Sequence, residues 1–351
     1  MSANDFRPRP PQVELRTGVP YANLIANQGR FSQAFGKSLD IDPNDVIPMA
    51  GTMGAIEAVR NHVLKNTSGR EPKVLTVSPG YWRARESFEG MGFRVSDVRI
   101  EVNGFTIDET EITSRIRAEE PELVYLSLPN NPTGAVFNPE DIVKGAPENT
   151  TLLFDVTLPS RQLDSRALSS RLYSAFRGRK NLFVAGSTSK SHNTAELRIG
   201  WLICANSDDS RELRRENRNV VASIAIQRAL DQMGKAPAAL EMIDMSFSLL
   251  KEGEKQGKFA IIRPQNMAQS VYVLVRVRTD VKRILAEKGI SVMWGSEYGL
   301  SDDYIRLETL EPSHIGEFVG AVNSYPSSSH LANRIDTDRS GVHHLAKSAP
   351  E

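Results

Sequence analysis

The sequence has little cysteine, no excess of charge of one sign and no long apolar run, and each of these absences excludes a class of protein. Its single cysteine, Cys204, excludes an internal disulfide and fits a reducing compartment. Lysine plus arginine and aspartate plus glutamate both number 43, so no excess of positive charge predicts binding to nucleic acid or acidic lipid. No apolar run is long enough to span a bilayer, and the polar start MSANDFRPRPPQVELR lacks the core of a signal peptide. We therefore expect a soluble cytoplasmic protein with small-molecule partners, without nucleic acid or membrane contact.

Short apolar runs alternate with segments of helical patterning over the first part of the chain. The runs that predict strands are 74-VLTV-77, 93-FRVSDV-98, 123-LVYLSL-128, 151-TLLFDV-156, 182-LFVAG-186 and 200-GWLICA-205. Between them, apolar residues at helical spacing follow Gly54, and a second helix is predicted at 83–90. This alternation is typical of an α/β fold with three layers, in which helices cover both faces of a mainly parallel sheet.

After about Ser210 the pattern becomes helical and then gives way to a smaller set of elements. Strands at 271–277, 290–294 and 304–309, with a helix at 280–289, predict a small α+β domain at the C-terminal end. The predicted parts are an N-terminal segment packing on the small domain (1–40), a large domain (41–240), the small domain (241–325) and a disordered tail (326–351). His343 and His344 lie in that tail without acidic or cysteine partners, so we expect no metal site.

Polar residues follow four of the predicted strands, which is where ligands bind in a parallel α/β sheet. The four segments are Gly51-Thr-Met-Gly-Ala, Pro129-Asn-Asn-Pro-Thr-Gly134, Asp155 and Ser187-Thr-Ser-Lys190. Taken singly, the second could be an ordinary turn and Asp155 could cap a helix. However, an ionised Asp155 at the end of an apolar run is costly unless it is paired. A buried Lys190 tends to lose its proton, as a nucleophilic amine must.

Together these motifs resemble the class I/II aminotransferases, which are pyridoxal-phosphate enzymes of fold type I. The resemblance covers about 47–322, and its most specific part is S-x-S-K followed by an arginine eight residues later. It implies that Lys190 joins the aldehyde of pyridoxal 5′-phosphate as a Schiff base and later moves the substrate's proton. It also implies that Asp155 pairs with the pyridine nitrogen and that the amide of Asn131 points at the phenolic oxygen.

The resemblance implies further contacts with the cofactor and one with the substrate. The implied phosphate ligands are Thr52, Met53, Ser187 and Arg198, with Ser189 assisting. Tyr81 would stack on the pyridine ring, and Trp82 is the alternative for that role. Arg306 would bind the substrate's α-carboxylate through two parallel hydrogen bonds, although an exposed arginine on an edge strand is the plain alternative.

One position departs from the family pattern, so the resemblance alone does not determine which type of reaction is catalysed. Leu158 stands where ordinary members have a tyrosine that donates to the phenolic oxygen, and Thr157 is the nearest substitute donor. The favoured function is an aminotransferase for an L-amino acid and 2-oxo acid pair, acting as a homodimer in a specialised biosynthetic pathway. One alternative is a related enzyme with a diverted outcome: a decarboxylase, a lyase or an oxygen-dependent amino-acid oxidase or hydroxylase. A binding protein without turnover is the third interpretation.

Overall fold

A seven-stranded sheet forms the centre of the computed structural model, which describes residues 21–67, 69–216, 221–232, 237, 239–278 and 280–324. Its strands are β1 (Val46–Met49), β2 (Lys73–Ser78), β3 (Arg94–Arg99), β4 (Leu123–Ser127), β5 (Thr151–Asp155), β6 (Leu182–Ser187) and β7 (Gly200–Cys204). Their order across the sheet is β1-β7-β6-β5-β4-β2-β3. The prediction of a mainly parallel α/β sheet is confirmed.

Strand β7 is the exception, because it runs antiparallel to both of its neighbours, β1 and β6. Parallel strands need a long crossover, usually a helix, to return to the same end of the sheet. The connection from β6 to β7 contains only a short 3-10 turn at Ala195–Leu197, so the chain enters β7 from the same edge at which it left β6. The apolar run 200–205 predicts the strand but not its direction.

Helices cover the sheet on both faces, which explains why its strands are apolar without alternation. On β5, Leu152 and Phe154 belong to one hydrophobic cluster, and Leu153 between them belongs to another. The helices are α1 (Tyr21–Leu39), α2 (Gly51–Asn66), α3 (Trp82–Glu89), α4 (Glu109–Glu119), α5 (Pro139–Gly145), α6 (Ser165–Ala175), α7 (Ser207–Glu216), α8 (Ser223–Gln232), α9 (Ala239–Glu254), α10 (Val281–Glu287) and α11 (Pro312–Ser324). Not one of them is long and apolar enough, over the residues described, to cross a membrane.

A second, four-stranded antiparallel sheet lies in the C-terminal part of the chain. Its strands are β8 (Phe259–Ile261), β9 (Tyr272–Val277), β10 (Met293–Trp294) and β11 (Tyr304–Glu308), in the order β10-β11-β9-β8. Helices α9 and α11 pack together over it, and both contribute to its hydrophobic cluster. The predicted small α+β unit is therefore present, although the strand predicted at 290–294 is only two residues long and β8 is not foreseen.

The side chains of β11 alternate between two environments. Ile305 and Leu307 are buried in the cluster of the small sheet, whereas Tyr304, Arg306 and Glu308 are half-buried on the opposite face. Tyr304 packs against the main cluster of the large sheet, so this opposite face is turned toward the large sheet. Because β11 is an inner strand, the alternative of Arg306 on an exposed edge is wrong.

Helix α1 packs on the large sheet. Phe31 and Phe35 are buried in the main cluster, and Phe35 contacts Trp201 of β7 with ring centroids 4.5 Å apart. The helix also lies against β1 and α8. The predicted packing of 1–40 on the small domain is thus wrong for this helix, because its buried aromatic residues pack in the cluster of the large sheet. Residues 1–20 and the tail 326–351 lie outside the described residues, and the domain boundary near 240 stays a prediction.

Candidate active site

Three adjacent strands end in polar residues at one edge of the large sheet. Strand β4 ends at Ser127, β5 at Asp155 and β6 at Ser187, and helix α2 begins at the same edge at Gly51. Parallel strands present their carboxyl ends together, so residues far apart in sequence converge there. The structure therefore brings together the polar segments that the sequence analysis singled out.

In the turn after β4, the side chain of Asn130 forms hydrogen bonds within the turn, whereas the side chain of Asn131 reaches outside it. The Asn130 side-chain oxygen accepts hydrogen bonds from the Thr133 backbone N–H (3.4 Å) and hydroxyl (2.7 Å). The backbone N–H of buried Asn131 donates to the Ser127 hydroxyl at 3.2 Å, which fixes the turn to the end of its strand. The Asn131 side-chain oxygen then accepts from Nη1 of Arg306 at 3.5 Å, across the two sheets.

Asp155 is a buried carboxylate that accepts local hydrogen bonds. The Tyr125 hydroxyl donates to its Oδ2 at 2.9 Å, and the Thr157 backbone N–H donates to its Oδ1 at 3.0 Å. Burial raises the pKa of Asp155 overall, although the bonds from Thr157 and Tyr125 act in the opposite direction. The helix-cap alternative is wrong, because the next helix, α6, begins at Ser165 and is capped by Asp164. An ionised Asp155 needs a cationic partner that the described side chains do not supply.

The start of helix α2 forms a cradle with Arg198. The residue before this helix, Ala50, forms no side-chain cap, so the first N–H groups and the positive dipole end of the helix are available to an anion. Gly51 adopts a φ of +71°, and a Cβ there would lie 2.7 Å from Nη2 of Arg198. Arg198 forms no ion pair with any residue that the structure describes, and its Nη2 donates only to the Ala50 carbonyl at 3.4 Å. This arrangement suits a phosphate group.

The other predicted phosphate ligands lie beside this cradle with different exposures. Thr52 is buried, and its hydroxyl shares a hydrogen bond with that of Thr157. Ser187 and Ser189 are buried at and just after the end of β6. The Met53 side chain packs on a hydrophobic cluster, so only its backbone can face an anion.

Lys190 is held by groups from the small sheet. Its Nζ donates to Oε1 of Glu308 at 2.9 Å and lies 5.3 Å from the ring centroid of Tyr272. Burial lowers the pKa of Lys190, but Tyr272 and Glu308 together outweigh it, and the pKa is raised. The prediction that burial leaves this amine without its proton is therefore wrong.

Arg306 lies over the same aromatic ring as Lys190. Its Cζ is 3.9 Å from the ring centroid of Tyr272, its Nη2 contacts Sδ of Met293, and its buried Nε finds no hydrogen-bond partner among the described residues. No ion pair links Arg306 to a carboxylate in the part of the chain that is described. A half-buried guanidinium with an unused donor is suited to receive a carboxylate from a ligand.

Tyr81 and Leu158 flank the site. Burial and, to a smaller extent, the charge of the nearby Asp155 raise the pKa of Tyr81 to about 12, so its hydroxyl stays protonated at neutral pH. Trp82 lies one residue further on, with the guanidinium of Arg83 over its ring at 4.7 Å. Leu158 packs into the cluster of the small sheet and offers no donor. The hydroxyl of Thr157 shares a hydrogen bond with that of Thr52 near the start of α2 and also bonds to the carboxylate of Asp155.

Three residues of this site are missed by the sequence analysis: Tyr125, Tyr272 and Glu308. Glu308 is two residues beyond Arg306 on β11, so the two side chains lie on the same face of the strand. Tyr272 is the direct register partner of Glu308 on β9. Strand periodicity could have indicated Glu308, but only the pairing of β9 with β11 reveals Tyr272.

The groups at this edge fit a phosphorylated pyridine aldehyde. The uncapped helix start with Arg198 suits its phosphate, and the buried carboxylate of Asp155 suits a protonated ring nitrogen. The amine of Lys190 is the group that can condense with its aldehyde.

The chain matches the model of the family described as aminotransferase class I and II over residues 30–322. It is 22% identical over 313 residues to a histidinol-phosphate aminotransferase of Ruminiclostridium cellulolyticum, covering 85% of this chain and 84% of that protein. It is 24% identical over 291 residues to an L-aspartate:5-guanidino-3-methyl-2-oxopentanoate transaminase of Pseudomonas syringae pv. syringae, covering 79% and 73%.

The fold agrees with these sequence matches. The structure of the histidinol-phosphate aminotransferase from Clostridium acetobutylicum has a TM-score of 0.69 at 19% identity, covering 86% of this chain and 92% of that one. The match to the family model confirms the prediction of an enzyme over a binding protein. The chain belongs to the family of class I and II aminotransferases, and its cofactor is pyridoxal 5′-phosphate.

Proposed function

We propose that the protein transfers an amino group between an L-amino acid and a 2-oxo acid, with Arg306 as the receptor for the α-carboxylate. One observation carries the proposal. The guanidinium of Arg306, which lacks an ion-pair partner among the described side chains, lies over the same Tyr272 ring as the amine of Lys190. A bound amino acid can therefore place its carboxylate on Arg306 while its Cα faces Lys190.

The proposal gives each group of the site a separate task. Asp155 balances the charge of a protonated ring nitrogen, because a buried carboxylate with a raised pKa is stabilised by a cation. Asn131 directs its amide to the ring's phenolic oxygen, and Tyr81 covers the ring face. The proposed phosphate ligands are Thr52, Met53, Ser187 and Arg198.

When bound, pyridoxal 5′-phosphate supplies an aldehyde that condenses with amines and a ring that takes up the electron pair left when a Cα–H bond breaks. Lys190 accepts the proton from Cα at Nζ and gives it up again to complete the transfer. Arg306 fixes the carboxylate by two charged hydrogen bonds, so that the Cα–H bond stays within reach of Nζ. Tyr272 helps to hold the Lys190 and Arg306 side chains at their spacing, because both lie at its ring.

A screen of the twenty amino acids under single-turnover conditions tests this proposal. Transamination converts the cofactor to its amine form, which changes the visible absorbance and releases a 2-oxo acid. We expect this change with at least one amino acid and no change with the amine that lacks its carboxylate. If no amino acid changes the absorbance, or if the decarboxylated amine reacts equally well, the proposal fails.

A diverted outcome is the second candidate, and Leu158 favours it. Because its side chain packs into the small-sheet cluster, the phenolic oxygen of the cofactor lacks the donor that ordinary members place there. Carbon dioxide release, an unsaturated product or oxygen uptake without the amine form of the cofactor would support a decarboxylase, a lyase or an oxygen-dependent enzyme.

The biosynthetic role, the homodimer and the cytoplasmic location stay predictions. Similarity to two transaminases named for particular substrates supports the first of these. Size-exclusion chromatography with light scattering measures the second directly.

A further inference from the structure

We propose that Glu308 is a positioning residue for Lys190, whose carboxylate holds Nζ in place and stabilises the ammonium that Lys190 forms during the proton transfer. This inference rests on the proposed function, since it assigns the proton step to Lys190. It adds a group from the small domain to a site whose other proposed proton-handling groups come from the large sheet.

The geometry that carries it is a direct ion pair between the two sheets. Oε1 of Glu308 lies 2.9 Å from Nζ of Lys190, which is within charge-assisted hydrogen-bond range. The two side chains are 20% and 35% exposed, so solvent screens this pair less than it screens a surface pair. Strand β11 directs Glu308 and Arg306 to the same face, and Tyr272 stands opposite Glu308 on β9.

Two side chains facing Nζ act on its charge, and both come from the small sheet. Burial alone disfavours the ammonium, whereas Tyr272 and Glu308 favour it and outweigh burial. Glu308 is the one carboxylate that forms an ion pair with Lys190 among the residues described. The large-sheet carboxylate of the site, Asp155, is bonded to Tyr125 and Thr157 instead.

This arrangement matters at one moment of the reaction. When the Cα–H bond breaks, its electron pair enters the ring system and its proton forms a new N–H bond at Nζ, so Lys190 becomes an ammonium. An adjacent carboxylate stabilises that ammonium relative to the neutral amine. Since a stronger base accepts the proton more readily, removal of Glu308 should slow this step.

Arg306, which also lies at the Tyr272 ring, has no carboxylate partner of this kind among the described residues. Because the carboxylate of Glu308 balances the charge of Lys190, an incoming carboxylate is attracted to Arg306 rather than to the amine that must react. Glu308 therefore separates the proton-carrying cation from the carboxylate-binding one.

Competitive amine labelling of the full chain, after removal of the cofactor, tests the inference without any turnover. The fraction of Lys190 modified by acetic anhydride is followed by peptide mass spectrometry across the alkaline range, and its midpoint reports the acidity of the ammonium. We expect Glu308→Gln to lower the midpoint by about one pH unit or more, and Glu308→Asp to lower it less. The matched control is Glu252→Gln, which makes the same change at an exposed pair with Lys255 and should leave the Lys190 midpoint unchanged.

The holoenzyme provides the second readout. In Glu308→Gln, the exchange of the Cα proton of a bound amino acid with deuterated solvent should fall by about tenfold or more, with KM changed much less than kcat. If neither Glu308 variant moves the labelling midpoint while circular dichroism shows a folded protein, the inference is wrong. Absence of transamination in the wild-type protein would instead overturn the proposed function, because the labelling result does not depend on turnover.

Discussion

Removal of the guanidinium at Arg306 gives a prediction whose size follows from its contacts. Two parallel hydrogen bonds to a substrate carboxylate are worth about 1.5–3 kcal/mol each when one or both partners are charged. Because Arg306 is half-buried, the lower end applies, which gives about 3 kcal/mol in all. At about 1.4 kcal/mol per tenfold change, Arg306→Gln should lower kcat/KM for the amino-acid substrate by about 100-fold.

The assay compares kcat/KM for the best amino acid with that for its decarboxylated amine, in the wild type and the variant. The loss should appear only with the amino acid, since the amine offers no carboxylate to Arg306. Arg306→Lys should be intermediate, because lysine keeps the charge but not the two-pronged donor geometry.

Arg276→Gln is the matched control. Arg276 is exposed on the neighbouring strand β9, opposite Tyr304, and projects from the same face of the small sheet. It should retain wild-type kcat/KM. A loss of less than about tenfold in Arg306→Gln, or an equal loss with the control, would refute the assignment of the carboxylate site, given the magnitude derived above.

Three further predictions concern the cofactor. Burial raises the pKa of Asp155, so the cofactor-free protein loses stability as pH rises from the usual pKa of an aspartate toward this raised value. Asp155→Asn should therefore raise the melting temperature of the cofactor-free protein at neutral pH and abolish the further rise on adding cofactor; an unchanged response to cofactor would contradict this. Gly51→Ala should weaken cofactor retention and lower the free energy of unfolding by about 1–2 kcal/mol, because a φ of +71° is unfavourable for alanine and the new Cβ meets Arg198. Gly54→Ala is the control and should be tolerated, since a Cβ there meets nothing nearer than 3.4 Å. Borohydride reduction of the holoenzyme should leave the cofactor's mass on the Lys190 peptide, and an unmodified peptide would exclude the covalent link.

The sequence alone indicated the fold class and most of the large-sheet site, and the reason is geometric. Asn131, Asp155 and Lys190 each lie just after or at the end of an apolar run. Because parallel strands end at one edge, identifying the runs as strands is enough to bring these residues together. Local motifs thus carried the information for this half of the site.

Only the tertiary structure decided what the other half contributes. Glu308 and Tyr272 reach Lys190 because β9 and β11 are paired and their shared face is turned toward the large sheet, which no local pattern encodes. The direction of β7 and the packing of α1 likewise depend on contacts between distant segments. The charge of Lys190 has the same origin: an apolar context predicts burial, whereas the carboxylate that opposes the effect of burial comes from 118 residues further along the chain.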